Sequence, residues 1–576
     1  MTEPVVKVSG LTYYYPSEKD PALRDVNLEV LPGEFVLIIG ASGCGKSTLA
    51  LALNGIIPHE MEGRIGGHVY INGQETRQST VYSLATSIGI VFQDPDSQLC
   101  SLYVEDEVAF GPANLMMEPA EIMGRVTRSL EAVGETGIRR KLIYEISGGQ
   151  KQRVAIASIL AMEPRILLFD EPTANLDPLG AVQVFELLRR LNQDHGFTII
   201  VIEHNVDSVM SLATRLVLMD AGTVISSGPT REVMQREGRR ISSQLGLRIP
   251  HISDLALRLE EQQVALEPFP LTVAEAADAL ERLGGRIEFA PLPPEPAPLA
   301  GPPIIETQHL SFDYADGTHA VRDVSLQIYP GEVIGLVGKN GSGKSTLTSL
   351  WMGLNKPTSG QGNVAGLALG QATTQALASK AGYVFQYPEH QFVTEEVGAE
   401  IAFSLKAKKR PAAEIETRVQ QVLALFGLEK QRQKHPLRLS MGQKRRLSVA
   451  TMLVLDPEVL ILDEPTTGQD KKNIDNIMDI LLRINRQGTT IILVTHDMNL
   501  VARYCTRLLV MDRGEMVYQG TPREYGRAFD AIRSDALVLP DIYAVGRELR
   551  RRGLNVPEVL TSDELLASLK VTDAPL

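Results

Sequence analysis

The sequence predicts an α/β fold built twice in tandem, and three observations carry that reading. A loop of the form G-x-x-x-x-G-K-[ST] occurs first as Gly40-Ala41-Ser42-Gly43-Cys44-Gly45-Lys46-Ser47-Thr48 and again as Gly338-Lys339-Asn340-Gly341-Ser342-Gly343-Lys344-Ser345-Thr346. Each copy follows a short apolar run, Phe35-Val36-Leu37-Ile38-Ile39 or Val333-Ile334-Gly335-Leu336-Val337, which reads as a buried strand leading into a helix. An offset of 293 residues superposes Gln93 on Gln386, Ser147 on Ser440 and Asp170-Glu171 on Asp463-Glu464, so the stretch between these landmarks is duplicated without net insertion. At 576 residues the chain is also too long for one core.

The two loops are phosphate cradles by their chemistry. Glycines let the backbone curl so that successive N–H groups converge on an anion at a helix N-terminus. Lys46 and Lys344 then reach the β- and γ-phosphates, and Ser47 and Ser345 offer a hydroxyl to Mg²⁺. A chance glycine turn is the bland alternative. Two copies, each set after a strand and followed by further motifs in the same order, argue against it.

Downstream of the first loop come Gln93, Ser147-Gly148-Gly149-Gln150, the run Arg165-Ile166-Leu167-Leu168-Phe169 ending in Asp170-Glu171, Asn175-Leu176-Asp177 and His204. The second half repeats the order with Gln386, Ser440-Met441-Gly442-Gln443, Val459-Leu460-Ile461-Leu462 ending in Asp463-Glu464, Gly468-Gln469-Asp470 and His496. The apolar runs read as central parallel strands, which places Asp170 and Asp463 at strand C-termini beside the loops, where a metal ion or its water is held. Glu171 and Glu464 follow directly and polarise an attacking water, while lysine, metal and backbone donors stabilise the transition state. His204 and His496 each follow another apolar run, Thr198-Ile199-Ile200-Val201-Ile202 or Thr490-Ile491-Ile492-Leu493-Val494.

Composition bounds the rest. Lys and Arg number 57 against 70 Asp and Glu, a net charge of −13, which argues against a protein built to grip nucleic acid. No stretch reaches the ~18 uninterrupted apolar residues of a membrane-spanning helix, and the N-terminus lacks a basic-then-apolar signal, so the chain is expected in the cytosol. Three cysteines, Cys44, Cys100 and Cys505, have no metal-ligand spacing. Cys44 lies inside the first loop and is expected to make it sensitive to bulky thiol reagents.

The motif order resembles that of ATP-binding cassettes, and the resemblance covers both halves. It implies two tandem P-loop cassette domains, each with a helical subdomain and a small C-terminal extension, that bind ATP and Mg²⁺ and hydrolyse ATP. It assigns adenine stacking to Tyr15 and Tyr314, with Tyr13 and Tyr14 competing for the first role, and γ-phosphate contact to His204 and His496. It sets Gln93 and Gln386 beside Ser47, Asp170, Ser345 and Asp463 around Mg²⁺. It further implies that the Lys46 site is completed by Ser440, Gly442 and Gln443, and the Lys344 site by Ser147, Gly149 and Gln150, through pairing of the cassettes within one chain. Met441 stands where such motifs usually have glycine, so a weaker Lys46 site is one expectation.

The stretches Gly89-Ile90-Val91-Phe92-Gln93-Asp94-Pro95-Asp96-Ser97-Gln98 and Gly382-Tyr383-Val384-Phe385-Gln386-Tyr387-Pro388-Glu389-His390-Gln391, with Glu105-Asp106-Glu107-Val108-Ala109-Phe110 and Gly398-Ala399-Glu400-Ile401-Ala402-Phe403 after them, narrow the choice. They resemble the ATPase subunits of energy-coupling factor transporters of the cobalt and vitamin uptake type. That resemblance implies a transmembrane coupling subunit, a small membrane substrate-binding subunit and peripheral association with the cytoplasmic face of the cell membrane, with no nucleic acid partner. Asp94, Asp96, Glu105, Asp106, Glu107, Glu389, Glu395, Glu396 and Glu400 are then candidates for arginines on the partner. The alternative is a soluble tandem-cassette ATPase acting on the ribosome; such proteins carry a long charged arm or an iron–sulfur cluster, and this chain has a proline-rich spacer and too few cysteines.

The expected boundaries are a first cassette at 1–230, its extension at 231–289, a proline-rich linker at 290–303, a second cassette at 304–522 and its extension at 523–576. The extensions repeat: Leu271-Thr272-Val273-Ala274-Glu275 resembles Leu560-Thr561-Ser562-Asp563-Glu564, each with a threonine as candidate N-cap three residues before a glutamate.

Overall fold

The computed structural model describes residues 3–16, 18–174, 176, 178–204, 206–295, 301–466, 469, 471–532 and 538–571. Contacts divide the chain into two units, Met1–Ala279 and Leu280–Leu576.

The first unit runs β1 (Val6–Tyr14), β2 (Leu23–Val30), β3 (Phe35–Gly40), α1 (Lys46–Asn54), β4 (Arg64–Ile71), β5 (Gln74–Glu75), β6 (Ile88–Val91), α2 (Val104–Asn114), α3 (Pro119–Ala132), α4 (Gly148–Leu160), β7 (Ile166–Asp170), α5 (Pro178–Gln193), β8 (Thr198–Ile202), β9 (Arg215–Asp220), β10 (Thr223–Pro229), α6 (Thr230–Arg239), α7 (His251–Glu261) and α8 (Val273–Arg282). Strands β2-β1-β4-β5 form an antiparallel sheet, and β10-β9-β3-β8-β7-β6 form the central one. In the central sheet only β10 runs antiparallel to its neighbour.

Sequence pattern explains the difference between the sheets. β2 buries Leu23, Val26, Leu28 and Val30 on one face and leaves the other to solvent, as a one-sided antiparallel strand does. In β3, β6 and β8 every residue is buried, which matches parallel strands covered on both faces. One core fills the space between the two sheets and α1, with Leu11, Leu23, Leu49, Leu53 and Ile88 fully buried in it. Helices α2 to α4 are inserted between β6 and β7; α3 presents Val126 and Leu130 inward and charged residues outward, the one-sided pattern of a surface helix.

The second unit has β11 (Ile287–Phe289), β12 (Ile305–Asp313), β13 (His319–Ile328), β14 (Val333–Val337), α9 (Lys344–Trp351), β15 (Ser359–Val364), β16 (Leu367–Ala368), β17 (Ala381–Val384), α10 (Val397–Ala407), α11 (Ala412–Phe426), α12 (Met441–Leu453), β18 (Val459–Asp463), α13 (Lys471–Asn485), β19 (Thr490–Val494), α14 (Met498–Tyr504), β20 (Arg507–Asp512), β21 (Glu515–Gly520), α15 (Pro522–Ala528), α16 (Asp541–Arg551), α17 (Ser562–Ser568) and β22 (Leu569–Val571). Its sheets, β13-β12-β15-β16 and β17-β18-β19-β14-β20-β21, repeat the strand order of the first unit. Within this unit β11 also pairs antiparallel with β22. Of the segment 290–303, residues 296–300 lie outside the described residues, and the rest carry no helix or strand.

The repeat in the extensions is atomic as well as sequential. Leu271 N–H donates to Glu275 Oε2 at 2.7 Å and Leu560 N–H to Glu564 Oε2 at 2.6 Å. Thr272 and Thr561 hydroxyls accept from the N–H groups of Glu275 and Glu564 at 3.2 and 3.3 Å, the capping expected from sequence. Each glutamate also pairs at 2.9 Å with an arginine two helices earlier, Arg231 on α6 or Arg523 on α15.

Candidate functional site

In each unit the glycine-rich loop joins the central strand to a helix, β3 to α1 and β14 to α9. Gly45 and Gly343 cap these helices in the left-handed region at φ 102° and 100°. A Cβ there meets the carbonyl oxygen of Ala22 at 2.5 Å or of Ala320 at 2.2 Å, so only glycine fits. Lys46 Nζ donates to the carbonyls of Gly40 and Ala41 at 2.8 and 3.0 Å, and Lys344 Nζ to those of Gly338 and Lys339 at 2.7 and 2.8 Å. The ammonium groups thus lie inside the ring of loop backbone that the sequence reading made a phosphate cradle, together with Gly43, Gly341, Ser42 and Asn340.

Among the three consecutive tyrosines the structure distinguishes roles. Tyr13 is fully buried and donates to the carbonyl of Glu62, and Tyr14 lies under the Arg64 guanidinium. Tyr15 alone reaches the loop helix, its hydroxyl 3.0 Å from Thr48 Oγ1. Tyr314 repeats the contact with Thr346 Oγ1 at 3.1 Å.

Strands β7 and β18 end in Asp170 and Asp463. Glu171 and Glu464 follow in the left-handed region, φ 49° and 45°, each N–H held by the carbonyl of the adjacent strand, Ile202 or Val494. Such a backbone is costly for a residue with a Cβ and collects at functional sites. It turns each carboxylate toward its histidine: Glu171 Oε1 is 3.0 Å from His204 Nε2, and Glu464 Oε1 is 2.8 Å from His496 Nδ1. Gln93 Nε2 donates to the other Glu171 oxygen at 3.0 Å, closing a Gln–Glu–His group in the first unit.

Charge follows burial and neighbours. Burial, with Glu171 adding to it, pushes the Asp170 carboxyl up against the hydrogen bond from Ser47. Burial also lifts Asp463, against a hydrogen bond from Tyr383. For Glu171 burial acts upward, but His204 and Lys46 outweigh it and hold the group below its ordinary range. Burial alone lowers His496, yet the Glu464 carboxylate outweighs it and lifts the imidazole. Burial and Asp463 hold the Tyr383 phenol well above the ordinary tyrosine range.

Asp170 Oδ1 is buried and has no hydrogen-bond partner among the described residues. A buried bare carboxylate oxygen beside a serine hydroxyl and a lysine fits a hard cation, and Mg²⁺ takes such oxygen ligands. Ser47, Asp170 and Gln93 in the first unit, and Ser345, Asp463 and Gln386 in the second, are the residues that would hold it. When bound, the ion neutralises charge on the β- and γ-phosphates.

The serine-glycine motifs begin helices. Ser147 and Ser440 are N-caps of α4 and α12, in reciprocal capping boxes with Gln150 and Gln443. Met441 sits at the first turn of α12 and is exposed. A Cβ on Gly442 meets Asn473 at 2.7 Å, whereas one on Gly149 has room. Asn175, Asp177, Gly468 and Asp470 lie outside the described residues.

Two sequence expectations are corrected. Cys44 is buried, and burial pushes its thiol up, so its thiolate is scarce and reaction with bulky reagents is disfavoured. Most acidic residues assigned to a partner are used internally: Glu105 pairs with Arg139, Asp96 with Lys151 and Glu389 with Lys444, while Glu107 and Glu400 are buried acceptors of backbone N–H groups. Around the glutamine loops exposed apolar side chains, Leu102, Tyr103 and Phe110 in the first unit and Phe385, Val393 and Phe403 in the second, stand beside acidic candidates that remain exposed, Asp94, Asp106, Glu395 and Glu396.

Sequence motifs missed Arg445 and Tyr383. Arg445, 2% exposed, donates to the carbonyls of Phe385, Gln386 and Glu464 at 2.7, 2.6 and 3.3 Å. Its counterpart in the repeat is Gln152, whose Nε2 has no partner among the described residues. The signal that finds such residues is comparison of the halves with each other.

The family described as "ABC transporter" matches residues 23–174 and 321–467. A "Putative ABC transporter ATP-binding protein" of Methanosarcina mazei is 39% identical over 99% of this chain and 98% of its own length. The "Putative HMP/thiamine import ATP-binding protein YkoD" of Bacillus subtilis is 38% identical over 94% of this chain and 96% of its own. Among solved structures, cbiO1 of Clostridium perfringens, described as part of the ABC transporter complex cbiONQ, aligns at 37% identity over 44% of this chain and 98% of its own, with a TM-score of 0.38.

Proposed function

From the premise that the chain belongs to the ABC transporter family as a tandem ATP-binding protein that hydrolyses ATP with Mg²⁺, we propose that it is the energy-coupling component of a micronutrient importer. The cargo class is a vitamin, a vitamin precursor or a transition metal ion. It passes through separate transmembrane subunits, and the chain associates peripherally with the cytoplasmic face of the membrane. Among the described residues no helix is long and apolar enough to cross a membrane.

The observation that carries the reading is the near-full-length similarity to a relative named for HMP/thiamine import. The glutamine-loop stretches that resemble energy-coupling ATPases support it, as do the exposed apolar residues beside them in both units. These are suited to a membrane partner's apolar helix, and the exposed Asp94, Asp106, Glu395 and Glu396 beside them to its basic side chains. Within the cycle, Glu171 and Glu464 orient the attacking water, with His204 and His496 on the γ-phosphate. Lys46, Lys344 and the loop backbones bind phosphate, and Tyr15 and Tyr314 stack on adenine. ATP binding favours pairing of the cassettes, bounded at 1–230 and 304–522, with Ser147 and Ser440 motifs completing the opposite sites; loss of the γ-phosphate reverses it.

The test is purification of the tagged chain from its own detergent-solubilised membranes, carrying Glu171→Gln and Glu464→Gln to hold nucleotide, followed by mass spectrometry. A polytopic subunit and a small membrane binding subunit are expected with it. Ribosomal proteins instead, with the chain absent from the membrane fraction, would overturn the importer reading and favour translation.

A further inference from the structure

The two ATP sites hold their metal carboxylates by different means. In the second unit the Tyr383 hydroxyl donates to Asp463 Oδ2 at 2.7 Å. Tyr383 stands on β17, paired in parallel register with Ile461 on β18, two residues before Asp463. Thr348 of α9 stands beside the phenol, its own hydroxyl donating to the Ser345 carbonyl at 3.1 Å. The Tyr383 hydroxyl thus ties the strand-end carboxylate to the adjacent strand.

The first unit lacks this tie. The repeat places Ile90 where Tyr383 stands and Ala50 where Thr348 stands, both buried and apolar. Asp170 Oδ1 is left buried without a partner among the described residues. Asp463 is therefore held by a donor on the adjacent strand, whereas Ile90, at the same place in the first unit, has no group to donate to Asp170.

We propose that Tyr383 is a positioning residue peculiar to the second ATP site, fixing Asp463 in its metal-facing rotamer before Mg²⁺ and nucleotide arrive. Ligating carboxylates depend on such outer hydrogen bonds, and losing one typically costs about 10- to 100-fold in metal affinity. The two sites then differ in preorganisation: the second offers its carboxylate ready-set, whereas the first organises it as the metal binds.

The experiment uses the full chain with one site silenced at a time, Lys46→Ala leaving the second and Lys344→Ala leaving the first. Mn²⁺ binding in the presence of a non-hydrolysable ATP analogue is read by electron paramagnetic resonance, and analogue binding without metal is read separately. In the Lys46→Ala background, Tyr383→Phe is expected to weaken Mn²⁺ binding by about 10- to 100-fold, with metal-free analogue affinity and the circular dichroism spectrum unchanged. In the Lys344→Ala background the same substitution leaves Mn²⁺ binding within about threefold. A Tyr383→Phe chain that binds Mn²⁺ at the second site within threefold of its parent, or more tightly, overturns the proposal. So does an equal loss of metal and metal-free analogue binding, which marks a merely structural role.

Discussion

Arg445→Met removes a buried cation that ties together three parts of the second unit: the α12 helix, the glutamine loop at Phe385 and Gln386, and the left-handed Glu464. Hydrogen bonds to a charged group contribute about 1.5–3 kcal/mol each, and two of the three are short. Against this, burial outweighs the nearby carboxylates of Asp463, Glu389 and Glu464 and draws the guanidinium down to about 10, a net opposing cost of about 3 kcal/mol. At neutral pH the group stays cationic, and methionine in its place leaves two or three buried carbonyls without donors. A net local loss of about 2–3 kcal/mol is expected, which corresponds to amide exchange faster by roughly 30- to 150-fold. Peptide-resolved hydrogen–deuterium exchange over residues 385–393 reads it, where His390 and Phe392 N–H groups close the turn and Val393 N–H reaches Glu400. Gln152→Met is the control, because Gln152 Nε2 has no partner to lose among the described residues; residues 92–100 should change by less than about threefold. Equal exchange in Arg445→Met and the parent over 385–393 would refute the argument that this arginine anchors the loop.

Three further outcomes are expected. The double variant Glu171→Gln, Glu464→Gln should release phosphate from ATP at least about 100-fold more slowly than the parent, as loss of a positioned base does; retention of a tenth of the turnover would remove both glutamates from the chemistry. Glu464→Gln leaves burial as the main influence on His496, so its imidazole, now lifted above the ordinary 6.5, should fall below its present value in an NMR titration, and an unchanged midpoint would contradict the pairing at 2.8 Å. Burial raises Glu275 while Arg231 and the backbone N–H groups of Leu271 and Thr272 outweigh it, so its pKa is lower folded than unfolded. That contribution is complete above the unfolded value of 4.5 and is lost as pH falls through the depressed folded one. Thermal stability of the first extension should therefore drop below pH 4.5 in the parent and drop less steeply in Glu275→Gln.

What the sequence made legible is tied to spacing. The loops, the strand-end carboxylates, the histidines and the threonine caps of the extensions are local patterns whose meaning does not depend on distant neighbours, and each lies where its motif requires. Glu171 and Glu464 were legible as residues and not as conformations: nothing in an Asp-Glu pair announces a positive φ, which arises because the N–H is drawn to the neighbouring strand. The acidic residues near the glutamine loops went the other way. Glu105, Glu107 and Glu400 read as a partner surface because their acceptors' donors, Arg139 and the loop N–H groups, come from segments that only folding brings near.

The residues that motifs could not flag become visible once the chain is used as its own reference. Ile90 against Tyr383, Ala50 against Thr348 and Gln152 against Arg445 are three differences scattered over two strands and helices, and each by itself is an ordinary substitution in a duplicated protein. In the fold, Tyr383 and Arg445 bond toward one place, the junction of β18 with Asp463 and Glu464, and Thr348 stands beside Tyr383. An apolar residue converts to a donor at a buried position only at a cost unless an acceptor is waiting, and here the acceptors are the Asp463 carboxylate and the Glu464 carbonyl. In the first unit the same junction is left with an Asp170 oxygen and a Gln152 Nε2 that have no partner among the described residues. Divergence after duplication thus left the second site knit into its surroundings and the first dependent on what binds there. Met441, the one departure visible in the motifs, is the lesser asymmetry: it is an exposed side chain on a helix whose capping box is intact.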